Sequence, residues 1–219
     1  MGIWLRGAGL RLEVVRAHTG EPLPVRLGHR ALVILGGGFL PWEDERAPWL
    51  PTVRCLTGQA LQQGNPVLGI CLGAQLLAHV AGGTVLSQYG TPEYGSVPIR
   101  LRAGARNDPL FSALPTATHA IERHVDVITE LPPGALWLAE SDHCPYQGFR
   151  VGEAAWGVQF HPEAVATGIL RWDQEYLRAR GYDPDQLYAQ AMVHEPASAT
   201  AWQEFAHRFA EIITFGRHT

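Results

Sequence analysis

Asn65-Pro66-Val67-Leu68-Gly69-Ile70-Cys71-Leu72-Gly73-Ala74-Gln75 decides the fold. An apolar run of strand length passes through a Gly-x-Cys-x-Gly turn into an Ala/Leu-rich segment of helical character, which is the cysteine form of a nucleophile elbow. A sharp strand-to-helix turn places its central residue in a strained conformation, and only neighbours as small as Gly69 and Gly73 let the backbones pack so closely. At the first turn of a helix the Cys71 sulfur would face unpaired N–H groups and the positive end of the dipole, and both favour thiolate. Cys55 and Cys144 have no comparable setting and read as ordinary buried apolar cysteines.

Working outward, short apolar runs alternate with longer amphipathic stretches over the first three quarters of the chain. Candidate strands are Leu12 to Val15, Ala31 to Leu35, Val67 to Ile70, Val97 to Leu101, Leu136 to Ala139 and Ala155 to Phe160. The expected architecture is α/β: an open, doubly wound, mostly parallel sheet with helices on both faces and a helical C-terminal tail. That tail runs from Ala164, with breaks near Gly181-Tyr182-Asp183-Pro184 and Glu195-Pro196. Gly36-Gly37-Gly38 follows the second candidate strand as Cys71-Leu72-Gly73 follows the third, so both turns fall at carboxyl ends of strands, where open α/β sheets build sites.

Ninety residues after the cysteine, Trp156-Gly157-Val158-Gln159-Phe160 leads into His161-Pro162-Glu163. Residues two apart on extended chain point the same way, so Glu163 can lie beside the imidazole of His161 while Pro162 stiffens the link. A carboxylate on one ring nitrogen fixes the tautomer and leaves the other to exchange a proton with a thiol. An oxyanion hole needs two N–H donors near the sulfur. Leu72 can supply one and Gly37 the other.

Composition bounds the rest. A chain of 219 residues is long enough for one good core, and residues 1–219 are expected to form a single domain. With 46% hydrophobic and 17% charged residues, the chain reads as globular rather than disordered, and as no nucleic-acid binder. All 17 basic residues are arginine, which excludes Schiff-base chemistry, pyridoxal phosphate attachment and a P-loop lysine. The three cysteines suit neither a disulfide framework nor a zinc site, and a reducing cytoplasm is the expected setting. No apolar run approaches the roughly 20 residues needed to cross a bilayer. No cofactor is implied, and no metal: the ten histidines are scattered, and Asp142-His143-Cys144 lacks ligand spacing.

With these residues assembled, the sequence resembles the class I glutamine amidotransferases, and among them stand-alone proteins similar to the amidotransferase domain of GMP synthase. Leu35-Gly36-Gly37-Gly38, Gly69-Ile70-Cys71-Leu72-Gly73-Ala74-Gln75 and Gln159-Phe160-His161-Pro162-Glu163 carry the match. Further support comes from His124-Val125-Asp126-Val127, Leu131-Pro132-Pro133-Gly134 and Gln147-Gly148-Phe149. The resemblance implies that Cys71 forms a γ-glutamyl thioester, His161 relays the proton, Glu163 orients it, and Gly37 with Leu72 binds the oxyanion. It also implies that Gln75 and the backbone around Tyr89 and Gly90 meet the substrate. The family usually has proline where Gly38 stands, so the oxyanion loop is expected to be looser or set by a partner. Family members also begin with a strand and loop before the helix that Ile3 to Ala8 represents. On that resemblance a central sheet position is expected to be empty or differently filled, unless the true start lies upstream.

Three functions are open on these residues. One is glutaminase chemistry on L-glutamine, with ammonia delivered to an acceptor on a separate synthase subunit. A second keeps the triad but hydrolyses another γ-glutamyl amide or conjugate, with Trp42 and Trp49 near the glycine loop available to line a wider pocket. The third is a catalytically silent interaction subunit.

Overall fold

Val67 to Ile70 is buried at every position, as expected of a strand covered on both faces. Its alternate residues belong to two different cores: Leu68 and Ile70 pack with the C-terminal helix, whereas Val67 packs with the helix that follows the turn. The computed structural model describes residues 1–216. In chain order its elements are α1 (Gly2–Gly7), β1 (Leu32–Ile34), α2 (Leu50–Gln63), β2 (Val67–Ile70), α3 (Leu72–Val80), β3 (Thr84–Leu86), β4 (Glu93–Leu101), β5 (Ala117–His124), β6 (Val127–Glu130), β7 (Leu136–Glu140), β8 (Gly148–Val151), β9 (Ala155–Val158), α4 (Gln174–Ala179) and α5 (Pro184–Phe215).

Seven strands form one sheet in the order β1-β2-β9-β8-β7-β4-β5, and β3 with β6 makes a separate antiparallel pair. Within the large sheet only β1-β2 and β2-β9 are parallel. The other four neighbours run antiparallel. The α/β class, the helices on both faces and the helical tail are as the sequence implied. The sheet is mixed, and its parallel part is the three strands that carry the motif residues at their carboxyl ends.

Helices α2 and α3 cover one face through Val53, Ala60, Leu72, Leu76 and Leu77. The other is covered by α5, whose Trp202, Phe205 and Phe209 meet Phe111, Trp156 and Phe160. Against the expected break at Glu195-Pro196, α5 runs unbroken for 32 residues with Pro196 inside it. An interior proline costs about 3 kcal/mol. Each large apolar side chain buried further along the helix returns roughly 1.5–3 kcal/mol, so the aromatic stripe wins. Ser198 Oγ also donates to the carbonyls of His194 and Glu195 around the proline.

Two other expectations are corrected. Leu12 to Val15 is not a strand: it has no sheet partner, and Val14 is exposed. Cys55 is exposed rather than buried, while Cys144 is buried as expected. No helix among the described residues is long and apolar enough to cross a membrane.

Candidate active site

Parallel pairing explains how residues ninety positions apart meet. Strand β9 lies beside β2 with Val158 opposite Ile70, so the segments leaving both strands emerge at the same sheet edge. The Cys71 N–H donates to the Val158 carbonyl at 2.8 Å, and the His161 N–H donates to the Ile121 carbonyl of β5 at 2.9 Å. On the other flank of β2, β1 delivers the Gly36-Gly37 turn to the same edge. Cys71 therefore stands between the glycine loop and the histidine.

Cys71 occupies the position immediately before α3 with φ 53° and ψ −112°, a strained backbone that a residue with a Cβ seldom adopts. The two flanking glycines are required for it. A Cβ on Gly69 would collide with the Gly73 carbonyl, and one on Gly73 with the Ile34 carbonyl. Cys71 itself is buried, 7% exposed.

Nδ1 of His161 and Oε1 of Glu163 are 2.7 Å apart, which leaves Nε2 of the ring for the sulfur. Burial opposes a charge on His161. Hydrogen bonding with Cys71 and with Glu163, reinforced by the charges of both, outweighs it and raises the imidazole to about 11. An imidazolium facing a sulfur and backed by a carboxylate is a proton donor ready for a leaving amine. Gly36 packs directly on this pair: a Cβ there would lie 2.8 Å from His161 Cε1 and 3.3 Å from the Cys71 Cβ. Gly37 lies against the Leu72 side chain, whose Cδ2 would be 2.9 Å from an added Cβ. Gly38 has open space around it.

The expected substrate residues are placed differently from one another. Gln75 is buried on α3, and its amide nitrogen donates to the Asp126 carbonyl at 3.0 Å and to Gln159 Oε1 at 3.1 Å. Tyr89 is exposed, and Gly90 takes φ 73°, in the loop between β3 and β4. That loop is tied to the site through Asp126, whose Oδ1 accepts from Ser87 Oγ and from the Gln88 N–H. Trp42 packs its ring 5.4 Å from His79, and Trp49 stands edge-on to Phe39, so both serve the packing of the glycine loop against the helices.

A buried polar cluster without an expected role joins the inward faces of β4 and β5 to the chain around β7 and β8. Glu93 Oε2 accepts from Ser141 Oγ at 2.9 Å and Gln147 Nε2 at 2.8 Å, with His124 Nε2 at 3.2 Å. Glu122, fully buried, lies 3.6 Å from His124 Nε2. Burial first, and then the charge of Glu93, push its carboxyl well above the usual carboxylate range, while His161 pulls the other way. Burial likewise pushes the Cys144 thiol up. Glu93, His124 and Cys144 bring their ligand atoms within 4.8 Å of one another, the set that could hold a metal ion among the described residues. Cys144 thus finds its polar neighbours on other strands rather than in Asp142 and His143 beside it.

Known proteins resemble this chain in sequence and in fold. The family model described as glutamine amidotransferase class-I matches residues 4–180. The glutamine-hydrolysing GMP synthase of Thermomicrobium roseum is 35% identical over 165 residues, 75% of this chain and 29% of that protein. That of Thermosipho africanus is 34% identical over 140 residues, 64% of this chain and 25% of that protein. The chain thus spans under a third of the length of these relatives. Among solved structures, a glutamine amidotransferase from Thermotoga maritima superposes with a TM-score of 0.84 at 29% identity, covering 96% of this chain and 91% of that one. The chain belongs to the class-I glutamine amidotransferase family.

Proposed function

We propose that this protein is a single-domain glutamine amidohydrolase that releases ammonia for an acceptor held by a separate synthase subunit. Cys71 at the strained strand-to-helix turn, on the side of the sheet where Glu163 holds the imidazole of His161, is the observation that carries the reading.

In the first half-reaction the thiolate attacks the γ-carbonyl carbon of glutamine, and the oxygen takes the electron pair of the C=O bond. The backbone N–H groups of Gly37 and Leu72 receive that oxyanion. The C–N bond then breaks as His161 passes its proton to the departing nitrogen, so ammonia leaves and a γ-glutamyl thioester remains. Neutral His161 next takes a proton from water, whose oxygen attacks the thioester. The C–S bond breaks, its electron pair returns to sulfur, and glutamate departs with His161 protonated again. Glu163 keeps Nε2 directed at the reacting atoms in every step.

The relatives named as glutamine-hydrolysing GMP synthases support a partner that uses the ammonia, as does a solved structure from Thermoplasma acidophilum described as a GMP synthase subunit protein. That structure is 25% identical, with a TM-score of 0.61. Incubation with glutamine should yield glutamate and ammonia in equal amounts, and Cys71→Ala should abolish both. A folded wild-type protein whose Cys71 ignores a glutamine-like chloroketone would instead mark a silent interaction subunit.

One observation favours a second substrate class. A cavity of about 210 Å³ is lined by Gln88, Pro92, Val125, Tyr176 and Arg180, next to the Asp126 turn that holds Gln75. It would accommodate the far end of a γ-glutamyl conjugate. Faster turnover of such conjugates than of glutamine would establish that reading.

A further inference from the structure

Two buried amides behind the nucleophile have their orientation dictated by a group that cannot donate. The Asp126 carbonyl, in the turn between β5 and β6, is an acceptor only. Gln75 must therefore present its nitrogen to it, at 3.0 Å. The same NH₂ group donates its second hydrogen 3.1 Å away to Gln159, which must answer with oxygen. The nitrogen of Gln159 is thereby turned to the Cys71 sulfur, 3.7 Å distant. Swapping either amide end for end would set two donors or two acceptors face to face, so the assignment follows from chemistry rather than from placement.

We infer that Gln159 is a fixed N–H donor to the Cys71 sulfur, and that Gln75 is the positioning residue that keeps Gln159 in that orientation. Both side chains belong to residues no more than 3% exposed, so water does not compete for these bonds. The relay is anchored at each end. Asp126 is held by Ser87 and Gln88, and the Gln159 backbone N–H donates to the Gln147 carbonyl at 2.9 Å. A donor aimed at sulfur stabilises the anion more than the neutral thiol, because hydrogen bonds to charged groups are about twice as strong as neutral ones. It therefore supports the thiolate before attack, and again when the C–S bond of the thioester breaks and sulfur regains its electron pair. Gln75, expected to meet the substrate, thus also acts through the sulfur.

Because the relay presupposes that Cys71 is the nucleophile, as proposed above, it is tested at the sulfur rather than through turnover. Alkylation of Cys71 by iodoacetamide is followed by peptide mass spectrometry across pH, with exposed Cys55 as the internal control for the reagent. Gln159→Leu should move the Cys71 midpoint up by about one pH unit, a tenfold loss of thiolate at fixed pH, and leave Cys55 unchanged. Gln75→Leu should move it in the same direction by less. An unmoved midpoint in Gln159→Leu overturns the donor, and a shift there with none in Gln75→Leu overturns the positioning role. Should either variant fail to fold, the wild-type protein decides. The Gln159 side-chain amide resonance should titrate together with Cys71, and an amide insensitive to the sulfur's ionisation would sink the inference. Glutamine hydrolysis, measured alongside, separates the two claims: a shifted alkylation profile in a protein without glutaminase activity would leave the relay standing and overturn the proposed substrate.

Discussion

Glu163 Oε1 stands 2.7 Å from Nδ1 of His161, across a single proline. Strand β9 has ended at Val158, and the backbone of His161 is held instead by one bridge to Ile121 of β5. The pair is thus placed by the chain's exit from the sheet, and the carboxylate controls which ring nitrogen remains for Cys71. In Glu163→Gln the amide has nearly the same shape but no charge, and its NH₂ end can favour the wrong tautomer. Ammonia release from glutamine should fall by about 10²-fold or more in kcat, the scale of general acid–base contributions. The melting temperature should move little. Retained kcat would remove Glu163 from the proton path.

Gly36 tests how closely the glycine loop supports the same pair. A methyl group there would press on His161 Cε1, at 2.8 Å, before it met Cys71. The ring must tilt or the loop must retreat, and a displacement of about 1 Å at a reacting group can cost 10²-fold in rate. Gly36→Ala should therefore lose activity steeply while remaining folded. Gly38→Ala, which adds a methyl group into open space, should stay near wild type in steady-state assays of ammonia release.

The contrast between β2 and β5 explains how much of this is legible in the sequence. Val67 to Ile70 is apolar and buried at every position, holds Gly69 and leads through Cys71 to Gly73, so strand, turn and nucleophile can be read together. Strand β5 alternates in burial, but its inward face carries Thr118, Ala120, Glu122 and His124, so the usual polarity signal is inverted and no strand is read there. For the same reason the polar cluster behind the triad is unreadable: its members come from β4, β5 and the chain around β7 and β8, and only tertiary structure joins them. The Glu195-Pro196 break failed for a different cause. A local helix penalty is outweighed by burial of Trp202, Phe205 and Phe209 further along the same helix. The mixed sheet is hidden too, because apolar runs carry no direction.

Pro196 offers a direct measure of that competition between local penalty and burial. It is exposed, distant in sequence from the triad, and lies within a helix that forms in spite of it. Pro196→Ala restores a backbone donor and removes the ring's conflict with the preceding turn. Against the roughly 3 kcal/mol helix penalty stands about 0.5–1 kcal/mol of entropy returned to the unfolded chain. A net gain of about 2 kcal/mol is expected in chemical denaturation, with ammonia release unchanged. A loss of stability would show that the helix is bent productively at this point and needs its proline.

Glu122 supplies the pH dependence. Burial, and then Glu93, hold its carboxyl well above the ordinary range, so the folded chain binds this proton more tightly than the unfolded chain does. This contribution to stability is fully present below the unfolded value of about 4.3 and is lost as pH rises toward the folded one. Glu93 and His124 face the same carboxyl from β4 and β5, and His161 and Cys71 act on it from the site above. Those groups remain in Glu122→Gln, so subtracting its stability from that of wild type isolates the one proton. Wild type should lose ground to Glu122→Gln as pH rises above the ordinary carboxylate range, at up to about 1.4 kcal/mol per pH unit. Thermal melts over that rise give the slope directly. Parallel curves for the two proteins would mean that Glu122 is ionised in the folded state, and that a positive charge or bound cation balances it there.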